Sequence, residues 1–198
     1  SASGPGGTKH FPSAIRATSG FHDRLLRAHT APAFGTRASI SPSVIEHYKH
    51  FPLSFEPNRQ QTNNADAKFL ARGDGYILFL TGNDAVFSMG KDPHSTAVMR
   101  ISLLGANKNP SFSGMEELPG KSNYFIGNRP ENWRTNIPNY RKVSEHDIYP
   151  GIDLVYYGTQ RQLEYDFVIA PGASPSKIKF AFSGAKNLHT DANGDLLL

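Results

Sequence analysis

The chain has 198 residues, 38 % of them apolar, with 13 Phe, 8 Tyr, 18 Gly, 14 Pro and no Cys. Without Cys there is neither a disulfide framework nor a thiolate metal centre, and the abundance of turn residues favours all-β over helical architecture. Residues 1–50 carry six basic and two acidic side chains and residues 51–198 fifteen of each, so the entire net charge of +4 belongs to the N-terminal quarter. A neutral body with interspersed charges lacks the clustered cationic footprint that binding to nucleic acid requires.

No apolar run is long enough to span a bilayer, so no membrane span is expected. The chain begins at Ser1 without Met, so it is expected to be either a processed chain or a segment cut from a longer one, and any signal peptide would already have been removed. Residues 1–40, rich in Gly, Ser, Ala, Pro and Thr, read as a basic arm that is flexible or laid as a strap over a neighbour. Leu25 and Leu26 would anchor a short helix between His22 and Ala28. Ser41-Pro42 is an N-cap and first-position pair, and Val44, Ile45 and Tyr48 form one stripe, which predicts a helix to His50 ended by Pro52.

From Ala67 onward the pattern changes to strands: KFLAR, GYILFL, AVFSM, AVMRISLL, NYFIG, DLVYY, QLEYDFVIA and IKFAF, then a closing pair. The alternation is clearest between Tyr149 and Gly184. Leu163, Tyr165, Phe167 and Ile169 share one face, and Glu164 and Asp166 take the other. Asn193-Gly194 between Leu188 and Leu196–Leu198 signals a hairpin. A chain ending in the second arm of a hairpin leaves an open edge, so more β structure is expected downstream in a longer parent.

Several motifs have a plainer reading beside a chemical one. Gly114-Met-Glu-Glu-Leu-Pro-Gly120-Lys121-Ser122 resembles a phosphate loop with one residue too many and no strand-to-helix context, so Pro119-Gly120 reads as a turn into a strand at Asn123–Gly127. His47 and His50, with Glu46, fall short of a metal ligand set. Asp191, Asn193 and Asp195 have the spacing that opens a calcium loop, but they also sit in the hairpin turn, which is the favoured reading. No cofactor is implied. Glu164 and Asp166 stand roughly 7 Å apart on one strand face, a separation near that of inverting glycosidases, with Asp153 on the preceding strand as a third member. The outer face of a half-solvated sheet is also where carboxylates ordinarily sit, paired with cations such as Arg161 or Lys179. There is no Gly-x-Ser-x-Gly elbow to support acyl transfer. Trp133, Tyr140 and Tyr156, with Tyr149 and Tyr157, are the rings from which a sugar-binding platform would be assembled, although most are expected in the core.

LSFEPNRQQT, KFLARGDGYILFLT, LPGKSNYFIGN, WRTNIPNY and YPGIDLVYYGTQRQLEYDFVIAPGA together resemble a bacterial N-terminal domain of unknown function. That domain precedes SBBP-type seven-bladed β-propeller repeats in large secreted or surface proteins. The resemblance runs from about Leu53 to Leu198 and implies export, an all-β fold and a parent extended by repeats; it brings no catalytic residues. The chain departs from the related pattern E-P-N-x-G-Q by placing Gln60 where that pattern has Gly, the residue that takes a positive φ freely.

The expected architecture is therefore all-β and mostly antiparallel: a β-sandwich-like domain over residues 41–198 with one short helix, preceded by the extended arm of residues 1–40. The expected role is a non-catalytic structural or adhesive module, extracellular or at the cell surface. Its partners would be a second copy, through the arm and the open edge, or the downstream propeller repeats. A carbohydrate-binding module is the alternative, and a glycan-cleaving enzyme built on Glu164 and Asp166 the third reading.

Overall fold

The computed structural model describes residues 14–16, 52–90, 97–160, 162–184, 189–190 and 196–197. The helices expected at His22–Ala28 and Ser41–His50, the histidine pair His47 and His50 with Glu46, Arg161, and the turn carrying Asp191, Asn193 and Asp195 lie outside them. The strands are β1 Ala14–Arg16, β2 Phe55–Pro57, β3 Phe69–Gly73, β4 Tyr76–Leu80, β5 Asp84–Met89, β6 Ala97–Leu103, β7 Ser111–Tyr124, β8 Arg134–Tyr149, β9 Ile152–Thr159, β10 Gln162–Ile169, β11 Phe180–Ser183, β12 His189–Thr190 and β13 Leu196–Leu197. Among the described residues the only helical elements are two single 3-10 turns, Pro130–Asn132 and Pro175–Lys177.

Among the described residues every pairing is antiparallel, and one sheet runs β1-β10-β9-β8-β2-β3-β4-β5-β6-β11, with β7 paired to β8 beside this path. β12 and β13 pair separately, as the hairpin signal predicted. The expected two layers are the two arms of one curled, open sheet. Registry carries apolar side chains straight across it: Phe69, Leu80, Ala85, Ile101 and Phe182 are successive cross-strand partners from β3 to β11. Ala71, Leu78, Phe87 and Met99 form the next row. In β10 the alternation holds, with Leu163 and Phe167 buried and Tyr165 and Ile169 packed against the same core.

The curl brings the ends of that path together. Phe180 of β11 meets Tyr165 and Phe167 of β10 at ring-centroid distances of 5.8 and 5.9 Å. The Tyr149 hydroxyl donates to the Leu104 carbonyl, and the Asn107 amide to that of Ile148. Tight hairpins set the registers. Asp74-Gly75 joins β3 to β4 and Pro150-Gly151 joins β8 to β9, each glycine at positive φ, +86° and +74°; Pro then Gly at the two central positions is the signature of a type II turn.

Two features differ from the sequence reading. The longest strand, β8, was hidden by Asn136, Pro138, Asn139 and the charged stretch that follows. Pro119-Gly120 is not a turn into Asn123–Gly127: both residues lie inside β7, which ends at Tyr124. The β7–β8 register shifts between Glu117 and Lys121, and an irregularity of that kind accommodates a proline that cannot donate to the ladder. The phosphate-loop resemblance ends there, since Gly114 to Ser122 is extended strand.

The turn after β2 keeps the positive φ that glycine supplies elsewhere: Gln60 adopts +67°. The Asn58 side chain holds it, accepting from the Gln60 amide at 3.1 Å while its own amide donates to the carbonyls of Asn64 and Ala67. Left-handed geometry costs an L-residue about 1–2 kcal/mol, part of which glycine returns through its looser unfolded chain. Gln60→Gly is therefore expected to stabilise the domain by about 0.5–1 kcal/mol, read as a higher denaturation midpoint with an unchanged slope. A lower midpoint would show that the Gln60 side chain contributes more than its backbone strain removes.

Candidate functional site

Three groups of polar or aromatic side chains converge in the fold, each placed by β7 and β8. The first is the tip of the β7–β8 ribbon. Phe125 is 66 % exposed, Ile126 45 % and Trp133 37 %, and the Phe125 and Trp133 rings meet edge to face at 5.1 Å and 90°. The loop beneath them is built. Trp133 donates its indole N–H to the Gly127 carbonyl at 3.2 Å. Arg134 spreads its guanidinium over the carbonyls of Arg59, Glu131 and Trp133 and the Gln60 side-chain oxygen, tying the tip to the strained turn. Below it, Tyr124 donates to Glu56 at 2.6 Å while Arg72 contacts Glu56 at 3.2 Å and stacks 5.2 Å from the Tyr124 ring. Burial and the neighbouring Glu56 carboxylate push the Tyr124 hydroxyl up to about 12, with Arg72 opposing.

The second group is in the core. Glu145, only 1 % exposed, points inward between Phe112 and Leu154, its cross-strand partners. Its Oε2 accepts from the buried Tyr156 hydroxyl at 3.3 Å, and Oε1 has no hydrogen-bond partner among the described residues. Burial lifts this carboxyl from 4.5 to about 8; the Tyr156 hydrogen bond works against that rise and the Asp84 charge adds to it. Glu145 is not marked in the sequence because its strand is not; in β8 it alternates in phase with Val143, which is the signal that places it inside.

The third group lies on the opposite face of β8. His146 Nε2 is 2.8 Å from Ser113 Oγ, and Nδ1 is 3.4 Å from Asp153 Oδ2. Asp153 Oδ1 also accepts from the Asp147 amide at 2.8 Å, which holds a bulge where Asp147 takes a φ of +52°.

The residues singled out from sequence fall as follows. Glu164 and Asp166 share the outer face of β10, opposite Tyr157 and Val155. Burial, together with a hydrogen bond to Asp166 and the Asp166 and Glu164 charges, raises the Tyr157 hydroxyl to about 12. Asp153 faces His146 instead of joining them as a carboxylate trio. Of Trp133, Tyr140 and Tyr156, only Trp133 presents itself to solvent. Tyr140 is half-buried against Phe69 and lies over Gly114, where any Cβ would strike its ring, and Tyr156 is buried beside Glu145. No cluster of three metal-ligating side chains occurs among the described residues, and no helix among them is long and apolar enough to cross a membrane.

The strands from β2 to β13, with the ribbon and both polar groups, coincide with one family match: a domain of unknown function, DUF7948, covers residues 55–198. The chain belongs to the DUF7948 family. No curated protein and no solved structure matches it. In this DUF7948 domain β1 and residues 52–54 lie outside the family boundary, while the tip, Glu145 and the Ser113–His146–Asp153 group all fall within it.

Glu145 makes a signed prediction. The folded state holds its proton more tightly than the unfolded chain, so this contribution to stability is complete below about pH 4.5 and lost as pH rises towards 8. Within that window stability should fall by at most about 1.4 kcal/mol per pH unit. Glu145→Gln, which keeps the shape of the protonated acid, should flatten that slope in denaturant melts from pH 5 to 8. An unchanged slope would mean that Glu145 ionises freely in the fold.

Proposed function

We propose that this DUF7948 domain is a structural, adhesive module that docks through the aromatic tip of its β7–β8 ribbon. One observation carries the reading: Phe125, Ile126 and Trp133 stand exposed together on a loop fixed by Arg134. Large exposed apolar side chains gathered on a fixed support mark an interaction surface, whereas scattered ones do not. Preorganisation lowers the entropy lost on binding. Rings at 90° share no plane, so a saccharide can stack on one of them at a time, and a packed apolar surface fits the pair better than a sugar does.

A second copy of the chain is the partner we favour. Residues 51–198 carry equal numbers of basic and acidic side chains, so two bodies approach without long-range repulsion. The arm segment β1 adds antiparallel to the edge of β10, the same geometry by which an arm from one copy completes the sheet of another. The resemblance to domains preceding SBBP-type repeats supports placing the module in an exported bacterial protein, at the cell surface or outside it. Asp166 is engaged with Tyr157, which disfavours the Glu164 and Asp166 pair as a glycan-cleaving acid and base.

Light scattering across a concentration series tests this reading. The expected result is a mass that climbs above the 21.7 kDa monomer and returns to it in Phe125→Ser/Trp133→Ser with the thermal midpoint unchanged. A strict monomer at every concentration overturns self-association. Trp133-dependent retention of that monomer on immobilised polysaccharide would establish the carbohydrate reading in its place.

A further inference from the structure

We propose that Ser113, His146 and Asp153 form a nucleophilic centre that accepts the acyl group of a small carboxylic ester. This goes beyond the docking surface and does not rest on it. The three residues come from three adjacent strands, β7, β8 and β9, so rigid sheet rather than loop fixes their spacing. Ser113 Oγ lies 2.8 Å from His146 Nε2, and Asp153 Oδ2 lies 3.4 Å from Nδ1 on the other side of the ring. A single tautomer satisfies both contacts: Nδ1–H donates to the carboxylate, and Nε2 accepts the serine proton. This is the relation of nucleophile, base and orienting carboxylate that defines a serine triad by geometry rather than by sequence position. Asp153 is itself held, because its other oxygen accepts from the Asp147 amide.

The surroundings set the substrate class. Serine and histidine are half-buried and open to solvent on the outer face of the sheet, and the exposed Met115 follows Ser113 on that face. Across from Asp153, the exposed Val168 is its partner on β10. The apolar contact available is therefore small and unwalled, which fits a short acyl chain.

The chemistry balances without a co-reactant other than water. Ser113 Oγ adds to the ester carbonyl carbon as its proton passes to His146 Nε2. Collapse of the adduct breaks the acyl–oxygen bond, and the departing alcohol oxygen takes that proton. Water then adds to the Ser113 ester, giving a proton to Nε2, and collapse releases the carboxylic acid as the proton returns to Oγ. His146 is the base; Asp153 acts through it as a positioning residue.

A fluorophosphonate probe on the full chain, with peptide mass mapping of the adduct, tests the centre directly. The expected adduct is on Ser113, absent in Ser113→Ala and slowed about a hundredfold in His146→Gln. Asp153→Asn preserves the acceptor for the Asp147 amide but removes the charge, so it should shift the pH profile of labelling and leave the thermal midpoint in place. Failure to label Ser113 in the wild-type chain overturns the proposal whether or not the variants fold. Labelling that persists at full rate in a folded His146→Gln overturns it as well, since a purely structural Ser–His–Asp arrangement would hold the bulge without activating the serine.

Discussion

Phe180, on the last strand of the sheet path, meets Tyr165 and Phe167 on a strand near its other end. Without that contact, the inner row from Phe69 to Phe182 would face water across the whole width of the sheet. An open antiparallel sheet must bury one face, and here the covering layer is the sheet's own far arm. The sheet's right-handed twist lets the arms curl towards each other, and aromatic rings are long enough to meet across the gap before the strands themselves could pair. Everything else hangs from this closure, including the depth at which Glu145 sits and the side of β8 left free for His146.

β8 is the element through which the parts communicate. Its inward face contributes Val143 and Glu145 to the closed core, and its outward face carries Ser144 and His146. Its distal half leaves the core with β7 as a ribbon. The ribbon is then caught by Glu56 and Arg72 through Tyr124, and by the turn at Gln60 through Arg134. Asn139 adds a further tie, accepting from Ser54 and Ser122 and donating to the Gly120 carbonyl. The aromatic tip is therefore rigidly offered although it stands away from the core, a combination that suits docking better than a mobile loop would.

Much of the sheet was legible in the sequence because half-buried strands advertise themselves by alternation. β3 to β6 and β9 to β11 all lie where apolar side chains recur every second residue. β8 was not legible, since its inward positions include Glu145 and its course includes Pro138, and both break the apolar pattern that period 2 relies on. Missing β8 concealed the chemistry as well. Ser113 and Asp153 are remote in sequence, and only the pairing of β7 and β9 on either side of β8 brings them to one imidazole. In sequence Asp153 reads as a carboxylate near Glu164 and Asp166, yet its partner His146 lies on the opposite neighbour strand. The Gln60 turn shows the converse: the departure from glycine is visible in the sequence, but the Asn58 side chain that sustains the left-handed geometry becomes evident only in three dimensions.

Closure of the sheet by Phe180 is the claim on which the rest depends, and amide hydrogen exchange on Phe180→Ala tests it most directly. The account predicts faster exchange in β6, the hydrogen-bonded neighbour of β11, and also in β10, which touches β11 only through side chains across the curl, while β3 and β4 keep their protection. Faster exchange confined to β11 and β6, with β10 unchanged, would contradict it and would leave the two arms of the sheet independent.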